Sequence, residues 1–383
     1  MTRKVIYVAL NGVTGRMGYR QHLVRSLLAI REQGGIRLGD GSSLYPEPIL
    51  VGRNEERLRA IAERHGLERW TTHLDEVLAD PEVGDYYDTQ VTSAREVSLM
   101  KAIEAGKHVY TEKPVAASLD GALRLARAAK AAGITHGVVQ DKLFLPGVRK
   151  LRSLVASGFF GRILSVRGEF GYWVFEGDEI PAQRPSWNYR AEQGGGIVLD
   201  MFPHWTYVLE ALAGPVTAVT ARAVTHIPRR WDESGTPYEA TADDAAYAVL
   251  EFASGAFASV NSSWAVRVNR RELLELQVDG TAGSAVSGLR DCAVQHRVTT
   301  PMPVWNPDLP DPIDYQALWS DVPDNTTFDN GFKVEWELFL RCASEGRPFA
   351  WDLTEGAKGV QLANLALQSS AEGRRLEVPP LAV

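Results

Sequence analysis

The residues of this chain best suited to chemistry are a carboxylate and an imidazole four positions apart. Asp200 and His204 stand in the run S-W-N-Y-R-A-E-Q-G-G-G-I-V-L-D-M-F-P-H-W. On a helix that spacing sets both on one face, where they would meet as an acid–base pair. The alternative is an Asp200 that only caps the helix beside a partly buried His204. Pro203 between them is tolerated if it lies in the first turn, whose N–H groups have no intrahelical acceptors. The glycine triplet Gly194 to Gly196 just upstream predicts a close backbone approach to a neighbour. A second candidate is Lys113, in A-G-K-H-V-Y-T-E-K-P, where Glu112, Lys113 and Pro114 follow directly on a predicted strand. Lysine is a surface residue by default. Its placement singles it out, because ligands of open α/β sheets sit beyond the carboxyl ends of the strands.

Such groups need an element to hold a reaction partner. The N-terminal stretch K-V-I-Y-V-A-L-N-G-V-T-G-R-M-G has the needed form. Residues 5–10 read as a buried strand that breaks at Asn11-Gly12 and resumes as a helix beyond Gly18. Gly12 would make the turn, Gly15 would let a pyrophosphate approach, and Gly18 would let helix pack on strand. Asn11, Gly12, Thr14, Gly15, Arg16 and Met17 are therefore candidate cofactor contacts. The spacing is G-x-x-G-x-x-G rather than G-x-G-x-x-G, so a plain turn stays open. The next strand, residues 49–51, ends in Gly52-Arg53-Asn54, where NAD-binding folds usually place an acidic residue on the ribose. Either Arg53 pairs with the 2′-phosphate of NADP, or Arg53 is solvated and Asn54 holds the ribose of NAD. The expected cofactor is NAD(P), with NADP favoured over NAD.

Strand and helix alternate from there to residue 140, which predicts a doubly wound parallel sheet. The 31–48 insertion leaves room for a small hairpin. A helix over 148–157 is followed by long alternating runs, read as a mostly antiparallel sheet with turns at Ser254-Gly255 and Asp279-Gly280. Residues 301–323 are proline-rich and read as an ordered loop. Helices are expected over 330–344 and 352–372, the latter with Asp352 and Glu355 as a capping box. The fold class is an α/β dinucleotide-binding domain, residues 1–141, plus an α+β domain with a large open sheet, residues 142–383, for substrate binding and oligomerisation.

Composition excludes other classes. The 383 residues are 45% hydrophobic and 23% charged with a net charge of −7, so no basic field exists to attract nucleic acid or anionic membranes. The N-terminal apolar run is too short for a secretory signal and nothing approaches a membrane span, so the expected compartment is the cytoplasm. Cys292 and Cys342 lack the spacing of a metal site or a disulfide framework, and no metal is expected.

The glycine turn, A-G-K-H-V-Y-T-E-K-P and G-G-G-I-V-L-D-M-F-P-H together resemble the Gfo/Idh/MocA family of glucose-fructose oxidoreductases and inositol dehydrogenases. The resemblance covers nearly the whole chain. It implies a nicotinamide-binding Rossmann domain, an open-sheet domain often used for oligomerisation, and oxidation or reduction of sugars and cyclitols. Lys113 matches the lysine of the family's E-K-P motif, and Asp200 and His204 match its catalytic D-x-x-x-H pair. His204 would be the base, Lys113 would hydrogen-bond the reacting oxygen, and Asp200 would orient and stabilise the imidazolium. The chain departs from the family where T-P-N-x-x-H is usual, having Q-V-T-S-A-R from Gln90 to Arg95. Contacts on the nicotinamide side there, Gln90 included, are in doubt. After the sixth strand it has Gln140-Asp141-Lys142, and Lys142 would either bind a substrate hydroxyl or pair with Asp141. The turn G-V-T-G-R-M-G is also similar to that of dihydrodipicolinate reductases, which are shorter and lack E-K-P.

Around the acid–base pair lie Tyr172, Trp173, Phe175, Trp187, Tyr189, Phe202 and Trp205, with Asn188, Arg190 and Gln193 as polar neighbours. That mixture suits a neutral sugar or glycoside oxidised at a secondary ring hydroxyl such as C3, bound by Lys142, Tyr172, Trp187, Tyr189, Arg190 and His204. An inositol is the nearest alternative substrate, and a non-catalytic cofactor-sensing regulator is the alternative from another class. A homodimer or homotetramer is expected, because A-F-A-S-V-N-S-S-W alternates as a protein-covered sheet face would.

Overall fold

The run Val8-Ala9-Leu10 is fully buried because its strand lies inside a sheet covered on both faces. The strands are β1 (Arg3–Asn11), β2 (Ile36–Arg37), β3 (Ser43–Val51), β4 (Trp70–Thr71), β5 (Val83–Asp88), β6 (His108–Thr111) and β7 (His136–Val138), ordered β2-β3-β1-β5-β6-β7 with β4 on β3. All neighbours are parallel except β2, which pairs antiparallel with β3 as the hairpin of the insertion. Asn11 is opposite both Val51 and Asp88, Asp88 is opposite Thr111, and Thr111 is opposite Val138. The turns after these strands therefore lie side by side on one carboxyl edge. The chain leaves β1 towards β3 and later returns on the other side at β5, a topological switch point at the glycine turn.

The computed structural model describes residues 2–172, 184–266, 271–302, 306, 308, 310 and 313–383. Contacts divide the chain into one unit of Met1–Phe144, Asp329–Gln361 and Leu381–Val383, and another of Leu145–Phe328 and Leu362–Pro380. A single boundary after residue 141 is thus replaced by a chain that returns to its first unit. The reason is packing. Helix Gly331–Ser344 buries Trp336, Phe339 and Leu340 in one cluster with Leu10, Leu23 and Tyr110. Its Trp336 Nε1 donates to His22 Nδ1 at 3.1 Å, and its Glu335 accepts from the Gln140 amide at 2.8 Å.

Helix boundaries follow local chemistry. The first helix is wound as a π-helix over Gly18–Leu28 and continues as an α-helix over Ala29–Glu32. Asn54 caps Glu55–His65 by accepting from the Arg57 amide, and Gly66, at φ 61°, ends it. Asp352 accepts from the Thr354 and Glu355 amides, but the Glu355 carboxylate pairs with Lys358, so only half of the expected capping box forms.

In the second unit the described residues form a nine-stranded sheet centred on Ile163–Gly171, which pairs parallel with Phe257–Ser263 and antiparallel with Leu274–Gly280. The remaining pairs are antiparallel. Ser254-Gly255 makes the hairpin turn it predicts, with Gly255 at φ 80°. Asp279-Gly280 does not. Both remain in the strand, opposite Ser165 and Ile163, and the turn falls at Thr281-Ala282. Gly280 is glycine for another reason: a Cβ there would stand 2.2 Å from the Phe160 carbonyl oxygen. Of the 301–323 stretch, part lies outside the described residues, while Ser320–Asp321 adds an edge strand to Cys292–His296. Among the described residues no helix is long and apolar enough to cross a membrane.

Candidate functional site

The first unit supplies a nucleotide cradle built from backbone. Gly12 has φ 85°, and a Cβ on it would stand 2.9 Å from the Thr89 backbone. A Cβ on Gly18 would stand 2.6 Å from Thr89 Cγ2 and 2.8 Å from the Gly12 carbonyl oxygen, so helix and strand ends touch as closely as glycine allows. Gly15 differs, since its Cβ would meet only the Gly12 carbonyl oxygen, at 3.3 Å. Space is left for a ligand at Gly15 and closed at its two partners, which is the fit a pyrophosphate needs. Thr14 and Met17 are partly exposed here, and Arg16 is exposed. The buried Asn11 amide donates to Tyr86 Oη at 2.9 Å, and that hydroxyl donates to Asp88 at 2.7 Å. Arg53 is exposed, and the Asn54 side chain is committed to its helix cap.

Along the same edge, the departure at Gln90 to Arg95 is a buried ion pair. Arg95 Nε lies 3.3 Å from Asp88 Oδ1, its Nη2 donates to the Gln90 carbonyl oxygen at 2.7 Å, and its Nη1 donates to the carbonyl of Pro114. Burial pushes the Asp88 carboxyl up, against the opposing pull of Arg95. One guanidinium thus ties the turn after β5 to the Glu112-Lys113-Pro114 turn. Gln90 Oε1 accepts from Ser98 at 2.7 Å. Glu112 is buried, with Oε1 2.9 Å from His22 Nε2 and Oε2 accepting from the Lys113 amide. Because an indole only donates, the Trp336 bond makes His22 Nδ1 an acceptor and leaves the ring proton on Nε2, facing Glu112. Burial raises the Glu112 pKa, yet the His22 hydrogen bond and the Lys113 and Arg95 charges carry it below the ordinary value. Glu112 is therefore a carboxylate that shapes the turn carrying the half-buried Lys113. Of the two readings of Lys142, the ion pair is the one observed, at 2.5 Å from Asp141 Oδ2.

The second unit's candidates lie on helix Ile197–Ala213. Its start is one turn earlier than the proline suggests, so Pro203 lies in the helix interior. The cap is distant in sequence: Asp243 accepts from the Ile197 amide through its carbonyl at 2.9 Å and from the Val198 amide through Oδ2 at 2.8 Å. Burial pushes the Asp243 carboxyl up to about 6. The glycine triplet serves this start. A Cβ on Gly195 would stand 2.5 Å from the Trp187 and Asn188 carbonyl oxygens, and one on Gly196 2.6 Å from the Asp243 carboxylate. The close approach is to the protein's own chain.

Among the described residues the Asp200 carboxylate accepts from Arg184 Nη1 at 2.9 Å, while Asp243 caps the helix. His204 is buried, with Nδ1 2.5 Å from Tyr207 Oη. When Nδ1 carries the proton and donates it to Tyr207, Nε2 keeps its lone pair for a substrate. Tyr207, three residues on, is the orienting group missed from sequence, although i, i+3 spacing on a helix was a signal. Arg184 carried no such signal.

The aromatic set separates. Tyr189, Phe202 and Trp205 are core: the Tyr189 ring lies 3.9 Å under the Arg230 guanidinium, and Trp205 donates to Ser262. Burial raises the Tyr189 hydroxyl to about 12. Tyr172 is half-buried and Trp187 is exposed, while Arg190 stacks on Tyr238 at 4.2 Å. Trp173 and Phe175 lie outside the described residues.

A doubly wound sheet with a glycine cradle at its switch point, followed by a second unit carrying an oriented imidazole, defines a dinucleotide-dependent oxidoreductase. Residues 45–139 match the model of the oxidoreductase family with an NAD-binding Rossmann fold, and residues 148–286 match that of the GFO/IDH/MocA C-terminal domain. The chain belongs to the Gfo/Idh/MocA family. A D-xylose dehydrogenase from Paenarthrobacter nicotinovorans is 56% identical over 381 residues, 98% of each chain. A levoglucosan dehydrogenase from Pseudarthrobacter phenanthrenivorans is 27% identical over 262 residues, 63% of this chain and 66% of that one. Among solved structures, levoglucosan dehydrogenase in complex with NADH and L-sorbose has a TM-score of 0.81 at 22% identity over 100% of both chains, a likeness of fold.

Proposed function

We propose that this protein oxidises a ring CH–OH of a neutral sugar, with D-xylose the leading substrate, using NAD(P) as hydride acceptor. The observation that carries the reading is 56% identity along 98% of a D-xylose dehydrogenase. Bound nicotinamide supplies the acceptor; the proton is the task of the side chains. An alcohol is too weak an acid to lose its proton at neutral pH without a positioned base, and His204 Nε2 is that base. Tyr207 fixes its tautomer, and Lys113 stabilises the oxygen as negative charge develops on it. Asp200 acts as a positioning residue, through Arg184. A small unsubstituted aldose suits the site better than a glycoside, since three of the seven aromatics around Asp200 and His204, namely Tyr189, Phe202 and Trp205, are core. The strand end Gly52-Arg53-Asn54 has no carboxylate to repel a 2′-phosphate, which supports NADP alongside NAD. Assembly as a homodimer or homotetramer through the open sheet is consistent with exposed Tyr247, Val249 and Phe257, and a monomeric sedimentation mass would end that reading.

The test is a panel of D-xylose, glucose, an aryl glucoside, myo-inositol and glucose 6-phosphate with each cofactor, following reduced nicotinamide and identifying the product by NMR. D-xylose should react fastest. A keto-sugar places the oxidation at a secondary hydroxyl such as C3, and a lactone places it at C1. Lys113→Ala should lower kcat by about a hundredfold or more. Turnover confined to myo-inositol or the phosphorylated sugar would sink the substrate reading, and a Lys113→Ala rate within a few-fold of the parent would remove Lys113 from it.

A further inference from the structure

Glu112 belongs to a buried cluster that joins three distant parts of the first unit. His22 comes from the first helix, Tyr87 and Tyr110 from the neighbouring strands β5 and β6, and Glu335 and Trp336 from helix Gly331–Ser344. The His22 ring is fixed from several sides. Phe332 meets it edge-on at 5.1 Å, Tyr87 lies tilted against it at 4.4 Å, and the Trp336 indole holds Nδ1 as an acceptor. The ring proton on Nε2 is then 2.9 Å from Glu112 Oε1 and 2.6 Å from Tyr87 Oη. The wide π-turns of Gly18–Leu28 contribute, since they bury Gly18, His22 and Ser26 on one side of the helix.

Two carboxyl groups are buried in this cluster, and they differ in charge. Glu335 accepts the Gln140 amide on both oxygens, at 2.8 and 3.0 Å, and burial pushes its pKa well above the ordinary value, with the Asp141 and Glu112 charges adding to the rise. Burial also raises Glu112, but the hydrogen bond from His22, and then the Lys113 and Arg95 charges, carry it below the ordinary value. The groups facing Glu112 are thus His22, Lys113 of its own turn, Arg95 of helix Thr92–Glu104, Tyr87, Tyr110 and Glu335. Negative charge is kept at the carboxylate whose other oxygen accepts from the Lys113 amide, at 3.1 Å.

We propose that His22 is a positioning residue of the reaction: its Nε2 proton, aimed by Trp336, holds the Glu112 carboxylate, and Glu112 in turn fixes the backbone and the charge of Lys113. The inference rests on the role given to Lys113 in alcohol oxidation and deepens it. Without the His22 donor, Glu112 is a buried carboxylate short of a hydrogen bond, and burial carries it towards the neutral acid. A neutral Glu112 is a weaker acceptor for the Lys113 amide and no longer a charge opposite the ammonium. A turn displaced by about 1 Å is enough to slow a reaction severely.

The test compares His22→Leu, which fills the space without a donor, with His22→Gln, which returns an N–H. With the fastest sugar of the panel and saturating cofactor, His22→Leu should lower kcat about ten- to thirtyfold and leave the sugar KM within about threefold, and His22→Gln should recover kcat to within about threefold of the parent. The acidic limb of the oxidation pH–rate profile should move up by about one unit in His22→Leu, because activity then also requires ionised Glu112. Carboxyl carbon-13 NMR of the whole protein, with the Glu112 signal assigned by its loss in Glu112→Gln, reads the same upward shift without substrate. If His22→Leu does not fold, Trp336→Phe, which frees Nδ1 to take the proton from Nε2, is read in the same way: a raised Glu112 titration with a lowered kcat supports the proposal, and parent values overturn it. An unmoved Glu112 titration overturns it, as does a moved titration with parent kcat. His22→Gln as slow as His22→Leu, with the same fall in melting temperature and an unmoved pH profile, marks a packing role and also overturns it. Lys113→Ala separates the two readings: parent-level turnover there removes Lys113 from the reaction, whereas its loss beside parent-level turnover in His22→Leu overturns this proposal alone.

Discussion

The two units each begin a functional helix with closely spaced glycines, and they use them in opposite ways. At Gly12, Gly15 and Gly18 the outer two are closed by protein and the middle one is open. At Gly194, Gly195 and Gly196 the last two are closed, by the Trp187 and Asn188 carbonyls and by Asp243. The first motif is a cradle for something the chain does not contain. The second seats a helix on its own chain, and the chemistry comes from side chains further along it. Each cluster has one open glycine, Gly15 and Gly194, and the one at Gly15 signals a ligand because it lies at the switch point of the parallel sheet.

The largest expected effect tests that contrast directly. Gly195→Ala puts a methyl group against two backbone carbonyls that cannot rotate away, and should cost about 3 kcal/mol of stability or more. Gly15→Ala, with a single tight contact at 3.3 Å to the Gly12 carbonyl oxygen and no left-handed backbone, should melt within a few degrees of the parent yet bind dinucleotide about tenfold more weakly. Thermal melts and cofactor titrations on both variants check this. A stable Gly195→Ala, or a Gly15→Ala that binds normally, would break the comparison.

A smaller effect sharpens the account of the second helix start. The folded pKa of Asp243 is about 6, above the ordinary carboxylate value of about 3.9, and burial is the main cause. For a raised pKa the native state holds the extra proton, so its stabilising contribution is complete below pH 4 and is lost as pH rises through 6. Asp243→Asn keeps an acceptor for the Val198 amide and removes the titration. Denaturant melts from pH 4 to 8 should show the parent losing about 2 kcal/mol that the variant does not lose. Parallel curves would mean that the Asp243 carboxylate is not held against burial.

The smallest effect concerns orientation within that helix. Tyr207→Phe removes the hydroxyl that hydrogen-bonds His204 Nδ1, and kcat should fall about tenfold. The acidic limb of the pH–rate profile should shift with it. A lowered melting temperature with an unmoved profile would instead make Tyr207 a packing residue.

Sequence alone determined what depends on neighbours along the chain. The alternation of strand and helix to residue 140, the glycine turn, the cap at Asp352, and Lys113 just beyond a strand end follow from dihedral preferences and periodicities that act within a few residues. Tertiary structure decided what depends on groups far apart. It brought Asp243 to the start of helix Ile197–Ala213 and Arg184 to Asp200. It placed Trp336 on His22, so that a late helix joined the first unit. Spacing within one helix says which residues share a face. Which face meets which is settled by apolar burial, and by buried polar groups that must find partners wherever the chain brings them.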